Sequence, residues 1–546
     1  MSEDTNQTPS VPESTPPENS APPGDEAPAT GSVDASLAGK ERRSRSRWIV
    51  LGAVAAVLIV AIVATFLILG NKQQATAVAD TDATLTVGLT LEPTNLDIRK
   101  TSGAALEQVL IGNVYQGLVS RATDGSIKPA LATEWKISDD ALTYTFTLAE
   151  GVTFSNGDAL TAKTAAQSIQ SVIDDKLLGS EYLGSVKSVT AADDTTLTIV
   201  LTQPYPDLLW ALSGRAGLVL DPAATNDAAT TAIGSGPFTL ESWKQGDSLT
   251  LARSASYAGD KPKVAKVVFR YITDTNAALN ALKAGDLDVL APVDGNLVSQ
   301  LSTDEFTTTR GQASDKFVLA FNNTVSPLSD KRVRQAIRYS IDHEAIIKAR
   351  GGADTALGGP IPEGDPGYED LTGLYTRDVA KAKSLLAEAG YADGLTLTLT
   401  IPSFYGDVLP NLLTSQLAEA GITLKTTSVE FATWLQDVYT NHDYELSIVD
   451  HAESHDFGSW ANPDYYFGYD NAEVQKLYAE SQVATSTETS SDLLAQAAKI
   501  VSEDAAADWL INFRTVTAVR AGVEGFPTDQ INNRLDVSTV TVAKAD

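Results

Sequence analysis

The sequence predicts an α/β protein, because segments with the two-residue period of strands alternate with segments that have the period of helices. Residues 266–290 show this pattern well: an apolar strand, a cap at Asp274, an amphipathic helix that ends at Gly285, and a second strand. Residues 142–148 are apolar at every second position, which is typical of a half-buried strand. The chain of 546 residues is long enough for two or three domains.

Charge and cysteine content exclude several classes of function. The formal net charge is −30 at pH 7, which argues against nucleic-acid binding because phosphates require a basic surface. The chain contains no cysteine, which excludes disulfides, thiolate metal sites and a lipid anchor on an N-terminal cysteine. Acidity of this kind favours solubility outside the cell and also suits cationic ligands.

The N-terminal region predicts a membrane anchor. Residues 1–47 are rich in Pro, Ser, Thr and acidic residues and end in a basic cluster, so we expect a disordered cytoplasmic tail. Residues 48–70 form an apolar run that is long enough for a single transmembrane helix. The basic cluster before the run predicts that the rest of the chain lies outside the cytoplasm, at the cell membrane. Residues 71–83 form a polar linker.

Two other interpretations of the apolar run remain open. A signal peptide would be cleaved after Ala79, because Ala77-Val78-Ala79 has the small-x-small pattern of a processing site. A buried core helix would also be apolar, although this run has neither charges nor caps. We favour an uncleaved anchor, since the run is longer than a usual signal core and follows a long polar region.

The folded part begins with a strand at Thr84 and continues as an α+β unit. A turn at Asp124-Gly125 precedes a helix or turn that ends at Trp135. The alternating strand and a second turn follow, and Thr161 is placed to cap the next helix. This order of turns, strands and caps predicts a compact unit with its own core.

Six motifs of this sequence resemble, in the same order, motifs of the peptide/nickel family (family 5) of ABC-transporter extracellular solute-binding proteins. The motifs lie at 113–119 (a helix in that family), 124–168, 233–238, 266–290, 317–347 and 380–391. Each motif is weak evidence alone, but six in the right order make the resemblance strong.

The resemblance implies a two-lobed periplasmic-binding-protein-like fold of type II, in the large cluster that carries an extra subdomain. It places lobe I at 84–316, with the subdomain inserted at about 110–220, and lobe II at 317–508. Residues 509–546 return to lobe I. The two crossings between the lobes are expected near 317–322 and 509–514.

The resemblance also implies capture rather than catalysis. Such a protein encloses its solute, here a short peptide, by cleft closure and delivers it to the permease of an ABC importer, whose ATPase is a separate subunit. The chain would act as a monomer without a cofactor. The sequence has no Gly-x-Ser-x-Gly, P-loop or dinucleotide motif that would indicate an enzyme. Alternatives are a binder of a metal chelate or other cationic solute, a peptide sensor or chaperone without transport, and a hydrolase.

The candidate ligand site lies in residues 444–469. In the family, a loop at this place lines the cleft, and one of its acids pairs with the ammonium of a peptide ligand. Asp456 and Glu453 are the candidates for this acid. The full set of candidate ligand-binding residues is Glu92, His451, Glu453, Asp456, Trp460, Tyr465 and Tyr466. The aromatic residues would equally suit the packing of a lobe, and Glu92 would equally suit an exposed turn.

The same loop contains a possible set of metal ligands. His451 and His455, together with Glu453 or Asp456, have the residue types of such a set. The two histidines would share a face only if the segment were helical. The glycine and proline that follow favour a loop, so the sequence predicts no dedicated metal site.

Overall fold

The computed structural model describes residues 79–529 and 534–544, which form two lobes and a smaller subdomain. The predicted tail at 1–47, the transmembrane helix at 48–70 and most of the linker at 71–83 lie outside the described residues. Within the described ranges, no helix is both long and apolar enough to cross a membrane.

Lobe I and its subdomain contain the first group of strands and helices. The strands are β1 (Thr84–Leu89), β2 (Val119–Arg121), β3 (Ile127–Pro129), β4 (Ala132–Ile137), β5 (Thr143–Leu148), β6 (Val186–Ala191), β7 (Thr196–Leu201), β8 (Phe238–Lys244), β9 (Ser248–Arg253), β10 (Lys266–Tyr271), β11 (Val289–Ala291) and β12 (Phe306–Gly311). The helices are α1 (Ala104–Leu110), α2 (Ala162–Asp174), α3 (Leu208–Ser213) and α4 (Thr275–Ala284).

Lobe II contains the next group, and the chain then returns to lobe I. The strands of lobe II are β13 (Lys316–Phe321), β14 (Leu395–Pro402), β15 (Ile422–Val429), β16 (Leu446–His451) and β17 (Ala507–Asn512). Its helices are α5 (Lys331–Ser340), α6 (His343–Ala349), α7 (Val379–Glu388), α8 (Val408–Glu419), α9 (Phe431–Trp434), α10 (Gly458–Ala461), α11 (Ala472–Gln482) and α12 (Thr487–Glu503). The returning strands are β18 (Thr515–Arg520), β19 (Val523–Glu524) and β20 (Thr541–Val542).

Three larger sheets organise most of these elements, and β2-β3 and β19-β20 form two-stranded sheets. Lobe I has a seven-stranded sheet in the order β12-β18-β11-β1-β10-β9-β8, and lobe II has a five-stranded sheet in the order β15-β14-β16-β13-β17. The subdomain has a four-stranded sheet in the order β4-β5-β7-β6, and α2 and α3 contribute to its core.

The chain crosses between the two large sheets at 312–315 and 513–514, so the crossings differ slightly from the expected positions. β13 and β17 pair with each other over most of their length, and this pairing keeps both strands in the sheet of lobe II. Residues 316–321 and 507–512 therefore belong to lobe II. The second crossing begins after Asn512 rather than at 509.

Local capping signals predicted several elements correctly. The Thr161 side chain accepts from Thr164 N and completes a capping box at the start of α2. Asp274 caps α4, and Gly285 ends it in the left-handed conformation at φ 88°. The strand predicted at 142–148 is β5.

Two local predictions were wrong. Trp135 lies in β4 rather than in a helix or turn, because β4 pairs with β5. Residues 113–119 do not form a helix, since α1 already ends at Leu110 and Val119 begins β2. The Asn113 amide instead donates to the carbonyls of Val109 and Leu535, at 3.2 and 2.6 Å.

The sheet of lobe II is covered on both faces. All six residues of β13 are buried, and the five that follow Lys316 alternate between two cores. Phe317, Leu319 and Phe321 pack on one side. Val318 and Ala320 pack on the other. A strand buried on both faces moves little, so it is a rigid support for whatever lies at its end.

Candidate functional site

The candidate loop is positioned by the pairing of β16 with β13. β16 is the central strand of its sheet, and its last residue, His451, pairs with Lys316 at the start of β13. The chain then passes through 452–457 into α10. The loop is therefore fixed where the first crossing enters lobe II.

Lys316 is a buried cation in this loop. Its side chain is only 2% exposed, its ammonium lies 3.0 Å from Asp456 Oδ1, and it donates to the carbonyl of Glu453 at 2.8 Å. Burial alone would lower the pKa of Lys316, but the charges of Asp456 and Asp365 outweigh it and hold the pKa above its usual value. In the structure, the cation that Asp456 faces is therefore Lys316 rather than a ligand ammonium.

His451 is held as a neutral imidazole. Its Nε2 lies 2.9 Å from the hydroxyl of Tyr466, whose side chain belongs to the core of lobe II. Burial, with a smaller effect of the Lys316 charge, lowers the pKa of His451 to about 4. His451 and Tyr466 thus connect the loop to the core.

Asp450 is the most perturbed carboxyl next to the crossing. Its Oδ1 is buried without a hydrogen-bond partner among residues 79–529 and 534–544. Burial and the charge of Asp315 raise the pKa of Asp450 to about 8. Its backbone N–H donates to the hydroxyl of Tyr405 at 3.0 Å. The surroundings at the end of β16 therefore favour the protonated form of this carboxyl group.

Three predicted residues lie close enough together for a metal ion. Single ligand atoms of His451, Glu453 and Asp456 lie within 4.8 Å of one another. The ammonium of Lys316 is bound at the same place, and its positive charge opposes a divalent cation. His455 points elsewhere, towards lobe I. These residues therefore fit a lysine better than a metal ion.

The remaining predicted residues have mainly structural contacts. Trp460 is buried, and its ring stacks on Phe467 with centroids 4.2 Å apart. The half-buried Tyr465 packs edge-on against Tyr439 at 5.8 Å. Glu92 accepts from the backbone N–H of Gly246 in the turn between β8 and β9, at 2.8 Å.

A cavity of about 340 Å³ lies between the lobes. Glu453 and Ser454 form its lobe II side, so Glu453 is the predicted residue that the structure places in its wall. Ionic side chains from both lobes line it in equal numbers of each charge: Glu107, Arg121, Glu181, Arg215, Glu453 and Arg534. The cavity therefore suits a ligand that carries both charges.

Two of these arginines have unused hydrogen-bonding capacity. Nε of Arg121 and Nε of Arg534 are both buried without a partner, and neither side chain forms an ion pair with another described residue. Burial, followed by the like charge of Arg121, lowers the pKa of Arg534 to about 9. Two neighbouring guanidinium groups in this state form a site for an anionic group such as a carboxylate.

Arg215 shows the opposite arrangement in the same wall. It forms an ion pair with Glu107, and its guanidinium donates to the carbonyls of Ile98, Thr101 and Gly103 at 2.7, 2.6 and 3.0 Å. Arg215 and Glu107 thus hold the wall together.

The lobes touch beside this cavity through His455. Its ring stacks on Trp210 of α3, with centroids 4.2 Å apart and planes 17° apart, and its Nδ1 lies 3.2 Å from Asp207 Oδ2. The backbone of His455 has a φ of 59°, which is unusual for a residue other than glycine. Asp365 holds this backbone by accepting from His455 N and from Ser454 Oγ, each at 2.8 Å.

The sequence analysis missed the lobe I side of the cavity. Arg121 ends a short strand, Trp210 lies in a short helix, and Arg534 lies near the C-terminus. No motif or spacing connects these three residues, because only the tertiary fold brings them together. A lone arginine in a strand carries no local signal of an anion site.

Comparisons with known proteins agree with this architecture. The sequence model for the bacterial extracellular solute-binding proteins, family 5 (middle region), matches residues 126–476. The chain is 29% identical over 454 residues to the probable D,D-dipeptide-binding periplasmic protein DdpA of Escherichia coli strain K12. The alignment covers 76% of this chain and 85% of that protein.

Two solved structures have the same fold. The ABC transporter substrate-binding protein CtaP of Listeria monocytogenes aligns with a TM-score of 0.77 and 23% identity, over 85% of this chain and all of that chain. NikA of Staphylococcus aureus, in complex with Ni(L-His)2, aligns with a TM-score of 0.68 and 20% identity, over 84% of this chain and 99% of that chain.

Proposed function

Because the chain belongs to the bacterial extracellular solute-binding proteins of family 5, we propose that it captures short peptides between its lobes and delivers them to the permease of an ABC importer. The observation that carries this proposal is the pair of arginines, Arg121 and Arg534, in one wall of a cavity whose other side carries Glu453. The relative DdpA, named as a probable D,D-dipeptide-binding protein, supports a peptide ligand.

The wall groups match the two ends of a short peptide. The guanidinium groups of Arg121 and Arg534 receive the C-terminal carboxylate, since Arg–carboxylate pairs are charge-assisted and often bidentate. Glu453 faces the N-terminal ammonium. The cavity of about 340 Å³ lies at the lower end of the range of ligand sites, roughly 300–1,000 Å³. A dipeptide or tripeptide therefore suits it better than a long chain.

Capture proceeds by closure of the lobes around the two crossings. The peptide enters when the lobes are apart, and its two ends bind groups on both lobes. The closed form is stabilised only as far as the ligand binds it better than the open form. The contact of His455 with Trp210 and Asp207 adds a direct link between the lobes in the closed form.

Membrane tethering by residues 48–70 forms part of the same proposal. The basic cluster and the apolar run support a cytoplasmic N-terminus and an extracytoplasmic binding region. Full-length protein should then sediment with membranes. Native protein found free in the medium with Asp80 as its first residue would contradict the anchor.

A metal chelate is the second candidate ligand. The proximity of His451, Glu453 and Asp456, and the likeness in fold to NikA with Ni(L-His)2, favour it. The ammonium of Lys316 at the same place argues against it. Chelator treatment separates the two candidates, because a peptide needs no metal.

Native mass spectrometry tests the proposal on full-length protein in detergent, freed of bound solute and mixed with a protein hydrolysate. We expect bound masses of dipeptides or tripeptides that EDTA does not displace. Acetylation of the N-terminus or amidation of the C-terminus of the retained peptide should weaken its binding. If the protein retains no peptide, or retains solute only with nickel and histidine present, the peptide proposal is wrong.

A further inference from the structure

Two spaces in the cleft share Trp210 in their linings, and the ring of Trp210 stacks on His455. One is the cavity described above, lined by Trp210 and Ser454. The other is a groove of about 620 Å³, lined by Trp210, His455 and Asp207. Trp210 is common to both linings, and the neighbouring residues Ser454 and His455 line one space each.

The groove also runs between the lobes. Its lobe I side includes the turn between β2 and β3 and the start of α3, and its lobe II side includes residues 364–366 and the first turn of α12. Its ionisable lining side chains are acidic except for His455: Asp124, Asp207, Asp365, Glu488 and Asp492. The groove therefore continues the cleft, with a different charge from the balanced cavity.

From this geometry, and resting on the proposed function, we infer that His455 and Trp210 form a partition that limits the length of the peptide. A short peptide fills the cavity on the Arg121 side of the partition. A longer peptide would have to pass through the position of the two stacked rings to reach the groove. Only the His455 side of this partition comes from a loop, so His455 is the residue that sets the limit.

The conformation of His455 permits a clean test. Glycine adopts a φ of 59° without strain, so His455→Gly removes the ring and leaves the backbone undisturbed. His442 is a matched control, because it also has a positive φ, 57°. Its backbone carbonyl accepts a hydrogen bond from the side chain of Asn322. His455→Asn is an intermediate variant, since asparagine tolerates this conformation and has a smaller side chain.

Full-length wild type and variants are incubated with a hydrolysate that contains peptides of two to eight residues. Native mass spectrometry then measures the masses of the bound peptides. Wild type should retain short peptides. His455→Gly should raise the retained share of peptides longer than four residues by at least about tenfold, the scale on which a pocket discriminates by size. His455→Asn should show a smaller shift, and His442→Gly none. Among the longer peptides, those with a basic extension should be enriched over those with an acidic one, because the groove is acidic.

Three results would overturn the partition. If His455→Gly retains the same lengths as wild type, His455 does not limit length, and the proposed peptide binding still stands. If His442→Gly shifts the lengths equally, the effect comes from loop backbones in general. If no protein retains peptides of any length, the proposed function itself fails, and the partition fails with it.

Discussion

The buried cations of the two lobes differ in one respect: Arg338 and Lys316 of lobe II each have an ion-pair partner, whereas Arg121 and Arg534 of the lobe I wall have none among the described residues. Arg338 donates to the carbonyls of Ser502 and Gly358 at 2.8 and 3.1 Å, and it pairs with Asp508 at 3.3 Å. Lys316 has Asp456 and a carbonyl. Arg121 and Arg534 each have a buried Nε without a hydrogen-bond partner in the part of the chain that the structure describes.

This difference distinguishes charges that stabilise the fold, as at Arg338 and Lys316, from charges that are available to bind a ligand, as at Arg121 and Arg534. A buried ion needs compensation for its lost hydration, and the fold supplies it for Arg338 and Lys316. For Arg121 and Arg534, the described residues replace only part of the lost hydration. A ligand carboxylate can therefore replace the rest by accepting hydrogen bonds from these side chains. Substitutions in the two groups should therefore have opposite effects on stability and on binding.

The largest effect is expected at Asp508, which is fully buried between Arg338 and His343. Asp508→Asn leaves Arg338 without its counter-charge, which should cost about 3–5 kcal/mol of unfolding free energy. Chemical denaturation measures it, with the exposed Asp443→Asn as control. Peptide affinity of the folded fraction should not change. Equal stability of Asp508→Asn and wild type would show that the pair is not structural.

The next effect concerns binding rather than stability. Arg534→Leu removes a charge that is repelled by Arg121, so the unfolding free energy should stay equal or rise. Its affinity for the retained peptide should fall by about 2–5 kcal/mol, the range for loss of one partner of a buried charge pair. Calorimetric titration measures the affinity. Arg338→Leu should lower the unfolding free energy and leave peptide affinity unchanged. If the two variants changed stability and affinity in the same way, the arginines would not differ in role.

His451 should give lobe II a pH dependence. The folded pKa of about 4 lies below the ordinary value of 6.5, so the unfolded chain binds more protons between these values. Stability from this group is therefore present above pH 6.5 and is lost as pH falls to about 4, by at most about 3 kcal/mol. His451→Gln should show a flatter curve from pH 6.5 to 4 than wild type. Parallel curves for the two proteins would contradict a neutral His451.

The smallest effect is expected at Glu453, which is exposed even with the lobes in contact. Glu453→Gln should weaken peptide binding by only about 1 kcal/mol, because exposed ion pairs contribute little. N-acetylated peptide should bind wild type and variant alike. A loss of affinity several times larger would mean that bound peptide desolvates Glu453. Glu453 would then contribute as much to binding as the arginines at the other end of the cavity.

The sequence predicted those parts of the fold that have local signals. The caps at Thr161 and Asp274 and the glycine at 285 follow from interactions over three or four residues. Trp135 was misassigned because its strand is fixed by pairing with β5 rather than by its own residues. The segment that begins at Asn113 was misassigned because that side chain bonds Leu535, from the far end of the chain.

Of the residues that line the cavity, the sequence predicted only Glu453 of lobe II, since the predicted Glu92 of lobe I instead bonds the turn between β8 and β9. The loop that contains Glu453 has a dense set of acids, histidines and aromatic residues, which a sequence shows directly. Lys316 was not predicted as the partner of Asp456, because the two residues meet only after β13 pairs with β16 and brings Lys316 to the loop that follows His451. The lobe I arginines were missed for the same reason. Residue types mark a site when they cluster in the chain, and the pairing of distant residues needs the fold.

The position of β18 determines when each lobe can be completed during synthesis. β18 lies between β12 and β11 in the larger sheet, although it follows the whole of lobe II in the chain. A nascent chain can finish the smaller sheet once Asn512 has left the ribosome, whereas β11 and β12 keep open edges until 515–520 emerge. Open strand edges pair readily with other chains. A chain cut just before Thr515 would therefore yield an aggregating fragment rather than a shortened binding protein.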